Sequence, residues 1–72
     1  MHLGQRIKHL IESAGITQSE LADELGLLQG AISKIYKKQD FNVSILIKIS
    51  NVLGLTIDEI LQDENIYNNT AE

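Results

Sequence analysis

Basic side chains are concentrated in one short stretch of the sequence. Lys34, Lys37 and Lys38 supply half of the six basic residues, although the chain as a whole carries a net charge of −4. Residues 28–48 hold a net charge of +3, and the remaining residues hold −7. Because clustered ammonium groups release counterions when they neutralise a phosphate backbone, this stretch indicates binding to a polyanion. The same charge pattern also fits a solvated helix face without a partner.

Residues suited to catalysis or metal binding are not arranged for either. His2 and His9 have no second ligand at the spacing of a metal site, no nucleophile lies beside a base, and no glycine-rich loop can hold a phosphate. The sequence contains no cysteine, so it offers neither thiolate ligands nor disulfides. We therefore expect no enzymatic activity, no cofactor and no metal ion.

Length and composition indicate one small domain. A chain of 72 residues buries only about 60% of its unfolded surface, which is too little for two cores. The amino-terminal MHLGQRIK introduces charge too early for a signal peptide, and no segment is long enough to span a membrane. The lack of cysteine suits a reducing compartment. We expect a cytoplasmic protein that does not contact a membrane.

Helical spacing and capping residues predict two helices in the first third of the chain. Helix 1 is expected to end at Gly15, and its apolar face comprises Leu3, Ile7, Leu10, Ile11 and Ala14. Thr17 and Glu20 have the spacing of a capping box, with Ile16 and Leu21 placed as its hydrophobic staple. Helix 2 is therefore expected to start at Thr17 and to run to Gly26.

Three further helices are predicted after Gly26. Helix 3 is expected over roughly residues 28–37, although Leu28 cannot cap it through its side chain. Asn42 is expected to cap helix 4, which ends at Gly54. A second capping box, Thr56 and Glu59, opens a short helix 5 through about Leu61. The polar residues 63–72 are expected to form a frayed tail after a domain of residues 1–62.

The spacing between helices 2 and 3 is that of a helix-turn-helix. Ala22 allows the helices to cross closely, Gly26 makes the turn, and Ile32 and Ile35 attach helix 3 to the core. The opposite face of helix 3 then points outward and carries Gln29, Ser33, Lys34 and Lys37. The predicted fold is all-α, a small bundle of about five helices that contains this motif.

Four segments together resemble the Cro/C1-type (XRE-like) helix-turn-helix transcriptional regulators over roughly residues 3–61. They are LGQRIK at 3–8, GITQSELADELG at 15–26, AISKI at 31–35 and LIKISNVLGLTIDEIL at 46–61. The resemblance implies a lambda-repressor-like DNA-binding domain that lays helix 3 in the major groove of double-stranded DNA. It also implies a role in transcription, which we expect to be repression.

The resemblance implies which residues meet DNA. In this family the amino end of helix 3 reads base edges, and the matching side chains here are Leu28, Gln29, Ser33 and Lys34. Gln29 and Lys34 are the preferred candidates, since glutamine pairs with adenine and lysine donates to guanine. Gly30 offers no side chain. Phosphate contacts are implied for the start of helix 2 and the loop after helix 3, here Gln18, Lys37, Lys38 and Asn42.

The chain departs from the family pattern at several positions. An arginine late in helix 1 and a glutamate at the end of helix 3, which usually pair, are here Ile11 and Tyr36. Apolar packing can replace a buried ion pair without loss of stability, so we expect Ile11 and Tyr36 to contact each other. Phe41 stands where the family often has proline, which leaves the path of its loop open.

The expected partners are double-stranded DNA and a second copy of the chain. A domain with few base-reading residues gains affinity by binding an inverted repeat as a homodimer, with half-sites about 34 Å apart. Helix 5, with Leu55, Ile57 or Ile66 exposed, is the candidate dimer surface. The alternative function is a protein-interaction module such as an antitoxin or phage adaptor, which would use an apolar patch formed by Leu27, Leu28 and Tyr67.

Overall fold

The computed structural model describes residues 2–62, and every regular element in that range is an α-helix. The five helices are α1 (Leu3–Ser13), α2 (Gln18–Leu25), α3 (Gln29–Lys37), α4 (Val43–Leu53) and α5 (Ile57–Leu61). The predicted all-α fold is confirmed, and helix 3 begins one residue later than expected. Met1 and the expected tail at 63–72, with Ile66 and Tyr67, lie outside the described residues.

Side-chain caps fix the amino ends of α2, α4 and α5 as the sequence predicts. In α2 the Thr17 hydroxyl accepts from the Glu20 N–H at 3.1 Å, and the Glu20 carboxylate accepts from the Thr17 N–H at 3.1 Å. The same reciprocal pair opens α5 at Thr56 and Glu59. Each pair satisfies backbone amides that the helix itself leaves free. The starts of α2 and α5 are therefore decided by interactions between residues three positions apart.

One apolar core joins α1, α2, α3 and α4, and α5 closes it against α1 and α4. Its most deeply buried side chains are Ile7, Ile11, Leu21, Ile32, Ile49 and Ile60. Arg6 adds a polar tie, because its guanidinium donates to the backbone carbonyls of Ile60 at 3.2 Å and Glu59 at 3.4 Å. These contacts make a rigid support for α3.

Apolar side chains of the α4–α5 region are covered unevenly. Val43 and Ile47 belong to the apolar pattern of helix 4, yet 65% and 46% of their surfaces are exposed. Leu55 and Ile57 were candidates for an exposed dimer surface, but both are half-buried and pack against the core. Leu55 and Ile57 are thus less exposed than expected, Ile66 lies outside the described residues, and the dimer surface stays a prediction.

Ile11 and Tyr36 are both buried members of the same core cluster. They belong to α1 and α3, which pack against each other. The place where the family usually has an ion pair is thus filled by apolar surface. Burial raises the pKa of the Tyr36 hydroxyl above its usual 10.0, and the negative charge of Glu12 raises it further.

None of the helices described between residues 2 and 62 is long and apolar enough to cross a membrane.

Candidate nucleic-acid interface

The turn between α2 and α3 decides how α3 is presented. Gly26 ends α2 in the left-handed conformation, with φ of 70°, which glycine adopts without steric cost. The N–H of Leu27 then donates to the Ala22 carbonyl at 2.9 Å, which closes the last turn of α2. Two residues later α3 begins, and Ile32 and Ile35 anchor its inner face in the core. This is the predicted helix-turn-helix geometry.

The outer face of α3 is open to solvent. Gln29, Ser33, Lys34 and Lys37 are all exposed, as the helical spacing predicts. Leu28, which precedes the helix, is 85% exposed, the highest value among the large apolar residues in the described range. No side chain caps α3, so the N–H groups of its first two residues, Gln29 and Gly30, remain available for a ligand, while the Ala31 N–H donates to the Leu28 carbonyl. The face that the family uses to read bases is therefore bare.

Three of the predicted DNA-binding residues come together beside α3. Lys34, Lys38 and Asn42 line one open groove of about 370 Å³ between α3 and the start of α4. The floor of the groove is apolar and includes Phe41, which is half-buried against the core. Phe41 thus anchors the loop at a position where the family often has proline. The loop returns to α3 and places Asn42 near the lysines, although Asn42 is distant from Lys34 in sequence.

Asn42 has a structural role that leaves part of its side chain free. Its Oδ1 accepts from the Ile45 N–H at 2.9 Å and so caps α4. Its amide nitrogen makes no hydrogen bond within residues 2–62, and the side chain is exposed. The cap holds the amide in place, so the two remaining N–H bonds can donate to an anion at the edge of the groove.

Gln18 lies apart from this groove. It is the exposed first residue of α2, directly after the Thr17 cap. The capping box places the Glu20 carboxylate nearby, and hydrogen bonds from the Thr17 N–H and hydroxyl lower the pKa of Glu20 from its usual 4.5. The carboxylate of Glu20 disfavours a second negative charge close to it, so Gln18 is a weaker candidate for an anion contact than the lysines beside α3.

The carboxyl end of α3 is held by the amino end of α1, a feature that sequence reasoning missed. The N–H of Gly4 donates to the Lys38 carbonyl at 2.9 Å, and the side-chain amide of Gln5 donates to the Tyr36 carbonyl, also at 2.9 Å. Gly4 lies so close to α3 that a β-carbon would meet three backbone carbonyls. The sequence signal for this contact was the LGQRIK segment, in which the small residue Gly4 precedes the amide donor Gln5.

Within residues 2–62, no group of three or more His, Cys, Asp and Glu side chains is arranged to hold a metal ion. The polar groups of this surface are mainly amides, a hydroxyl and ammonium groups, which can donate hydrogen bonds, and among the described residues the Asp40 carboxylate is the one acidic group that lines the groove. Donors arranged beside an exposed helix face are suited to phosphate oxygens and base-edge acceptors.

Known proteins share both the sequence pattern and the fold. Residues 7–60 match the family model described as helix-turn-helix. HTH-type transcriptional regulators named SinR, from Bacillus subtilis (strain 168) and Bacillus licheniformis, are each 34% identical to the chain over 65 residues. The match covers 88% of this chain but only 59% of each relative, so the chain spans less than two thirds of their length.

A solved structure matches the fold as well. The crystal structure of SinR, the master regulator for biofilm formation, in complex with DNA has a TM-score of 0.71 to this chain at 31% identity. The match covers 83% of this chain and 98% of the SinR chain in that crystal. With the family match over residues 7–60, the chain belongs to the helix-turn-helix family of the Cro/C1 (XRE-like) type.

Proposed function

We propose that this chain is a sequence-specific DNA-binding transcriptional regulator, acting as a repressor, that lays α3 in the major groove. The observation that supports this most directly is the exposed outer face of α3, which is polar and basic and is mounted on a buried apolar face. The fold is that of SinR, which has been crystallised in complex with DNA. The net negative charge of the chain does not oppose the proposal, because the positive charge is focused beside α3.

Bases are read from the first two turns of α3. Gln29 can pair with adenine through its amide, and Lys34 can donate to guanine O6 and N7. Ser33 can donate to or accept from either base edge, and Leu28 can contact a thymine methyl group. All four side chains are exposed, which such contacts require.

Phosphates are held from both sides of α3. Lys37, Lys38 and Asn42 supply donors at its carboxyl end, and Gln18 supplies a donor at the start of α2. The exposed amino ends of α2 and α4 add backbone amides, which favour negative charge. These contacts are independent of sequence and set the orientation of the domain on the duplex.

The active form is a cytoplasmic homodimer on an inverted repeat, and it needs no cofactor and catalyses no reaction. A single copy offers few base-reading side chains, so two copies on half-sites about 34 Å apart would supply the affinity of a specific regulator.

Selection of bound sequences from a random DNA pool at near-physiological salt tests the proposal. An enriched inverted repeat is the expected result. If three or four cations of each protomer meet phosphate, the dimer neutralises about 6 to 8 phosphates, and log affinity falls with log salt at a slope of about −5 to −7. No enrichment, with a slope near zero, would favour the protein-interaction alternative, to which the 85% exposed Leu28 is suited.

Two sets of variants separate the proposed roles. Replacing Lys37 and Lys38 with glutamine should weaken binding to all sequences alike and reduce the steepness of the salt slope by about 3 to 4 for a dimer. Gln29→Ala should relax base preference at one position of each half-site, at a cost of about 1 to 3 kcal/mol. Lys8→Gln removes one charge from α1, outside the proposed interface, and serves as the control. The opposite pattern would overturn the role assignment.

A further inference from the structure

The backbone that carries Lys37 and Lys38 is tied to α1 on both sides. Gln5 donates to the Tyr36 carbonyl, one residue before Lys37, and Gly4 donates to the carbonyl of Lys38 itself, each at 2.9 Å. The two bonds therefore bracket the pair of lysines. From α3 itself, the Lys38 N–H donates to the Ile35 carbonyl at 3.1 Å.

A helix end needs such partners. The last four carbonyls of an α-helix accept no hydrogen bond from within it, and an end without partners frays. Lys37 is the last residue of α3, and Lys38 is already extended, with φ of −79° and ψ of 150°. No glycine or capping side chain ends α3, in contrast to α2 and α4, which end at Gly26 and Gly54. The donors from α1 are therefore what fixes the course of the chain here.

Gln5 is the separable part of this junction. Gln5 is exposed and lies outside the core cluster, and its one side-chain hydrogen bond reaches a carbonyl 31 residues away. Gly4 is buried and has no room for a β-carbon, so its replacement would disturb the fold itself. A change at Gln5 can thus loosen the end of α3 while the core stays intact.

We propose that Gln5 is a positioning residue for DNA binding. It holds the backbone of Lys37 and Lys38 where their side chains can contact phosphates, and it does not itself touch DNA. This inference rests on the proposed function, because it names what orders the phosphate-binding end of α3. Gln29, one of the two preferred base readers, lies at the other end of α3, whereas Lys34 shares the last turn with Lys37. Loss of the Gln5 bond therefore weakens affinity and leaves the base preference set by Gln29 unchanged.

Gln5→Met tests the proposal, because methionine keeps the length and bulk of glutamine but cannot donate a hydrogen bond. We expect DNA binding about fivefold weaker per half-site, which is the equilibrium equivalent of one net hydrogen bond. The salt slope should become less steep, and the base preference set by Gln29 should stay the same. Amide hydrogen exchange should accelerate at Lys38 and remain unchanged at Ile60, whose N–H donates to Thr56 within the α5 end of the fold.

A double-mutant cycle decides whether Gln5 acts through the lysines. In a chain that already carries Lys37→Gln and Lys38→Gln, Gln5→Met should have no further effect on affinity. Thr56→Ala, which removes the α5 cap, is the stability control, and it should leave affinity and salt slope unchanged at temperatures where the chain is folded.

The outcomes separate the two proposals. If the unmodified chain shows no salt-dependent DNA binding, the proposed function is wrong and this inference is wrong with it. If the chain binds DNA but Gln5→Met has no effect, or has the same effect with and without the lysines, only the positioning role of Gln5 is overturned.

Discussion

Replacing Gly4 with alanine tests the close approach of α1 to the end of α3. Gly4 is the second residue of α1, and its φ is not in the left-handed region, so the backbone itself would accept alanine. Space is the limit. An added β-carbon would lie 2.6 Å from the Tyr36 carbonyl oxygen and 2.8 Å from that of Ile35, and it would also collide with the Lys38 carbonyl. All three are backbone atoms, which cannot rotate away as a side chain can.

The cost follows from what must move. Relief of the collision requires α1 and the end of α3 to separate, which breaks the Gly4 and Gln5 hydrogen bonds, worth about 0.5 to 1.5 kcal/mol each. Overpacking in a well-packed region costs about 1 to 3 kcal/mol of stability in addition. The better helix propensity of alanine offsets up to about 1 kcal/mol of this cost. These ranges sum to a net loss of about 1 to 6 kcal/mol. A loss of about 3 kcal/mol, near the middle, lowers the melting temperature by roughly 12 to 24 °C for a domain of this size.

Thermal unfolding followed by far-UV circular dichroism measures the effect, and the chain supplies a matched control. Gly30 is the second residue of α3, as Gly4 is of α1, but a β-carbon added at Gly30 would have no neighbouring atom within 4 Å. Gly30→Ala should therefore be neutral or stabilising, by no more than about 1 kcal/mol. If Gly4→Ala and Gly30→Ala changed stability in the same direction, the close packing of α1 on α3 would be refuted.

Three further substitutions test other parts of the structure. Asn42→Asp keeps the α4 cap, so the free energy of unfolding should change by less than about 0.5 kcal/mol. DNA binding in a filter or fluorescence assay should weaken, because a hydrogen-bond donor is replaced by a negative charge. Equal binding would remove Asn42 from the interface. Glu20 has a lowered pKa in the folded chain, so the stability linked to it is present above its usual pKa of 4.5 and is lost as the pH falls through the lowered pKa. In urea titrations, Glu20→Gln should reduce the fall in stability over that acidic range. An unchanged pH profile would contradict the cap geometry. Tyr36 has a raised pKa, so its contribution to the free energy of unfolding is complete below about pH 10 and is lost as the pH rises through the raised pKa. In alkaline unfolding experiments, Tyr36→Phe should retain more stability than the parent chain. Equal sensitivity to pH would mean that the hydroxyl is not desolvated.

The parts of the fold that the sequence predicts depend on short-range interactions. The capping boxes at Thr17 and Thr56 use partners three residues apart, and the Asn42 cap does the same. Such signals can be recognised in the sequence because the partner always lies at a fixed offset. The outward face of α3 is predicted for the same reason, since helical spacing alone separates Gln29 and Lys34 from Ile32.

Burial at the α4–α5 region was not predictable in the same way. Periodicity assigns Val43 and Ile47 to an apolar pattern, but it does not say how far the neighbouring helices extend. The structure leaves Val43 and Ile47 exposed and turns Leu55 and Ile57 toward the core. Whether an apolar side chain is covered depends on distant elements, and that information is absent from a local pattern.

The candidate site shows both kinds of information. Its residue types, an exposed helix with Gln29 and Lys34 and a following pair of lysines, could be predicted because they lie within one helical segment and its cap. Their arrangement required the fold, since the groove beside Lys34 is completed by the loop through Phe41 and Asn42. A loop without proline or glycine at its bend gives no local sign of its course.

The residue types alone predict where α2, α4 and α5 begin, where α2 and α4 end at glycine, and which face of α3 is hydrophilic, because caps and helical periodicity act over at most a few positions. Only the tertiary structure decided what orders the phosphate-binding end of α3. The donors come from Gly4 and Gln5, in a different helix, and the acceptors are backbone carbonyls that every residue possesses. A donor in one helix and a carbonyl 31 residues away have no fixed offset in the sequence, so their pairing is recognised only in the fold.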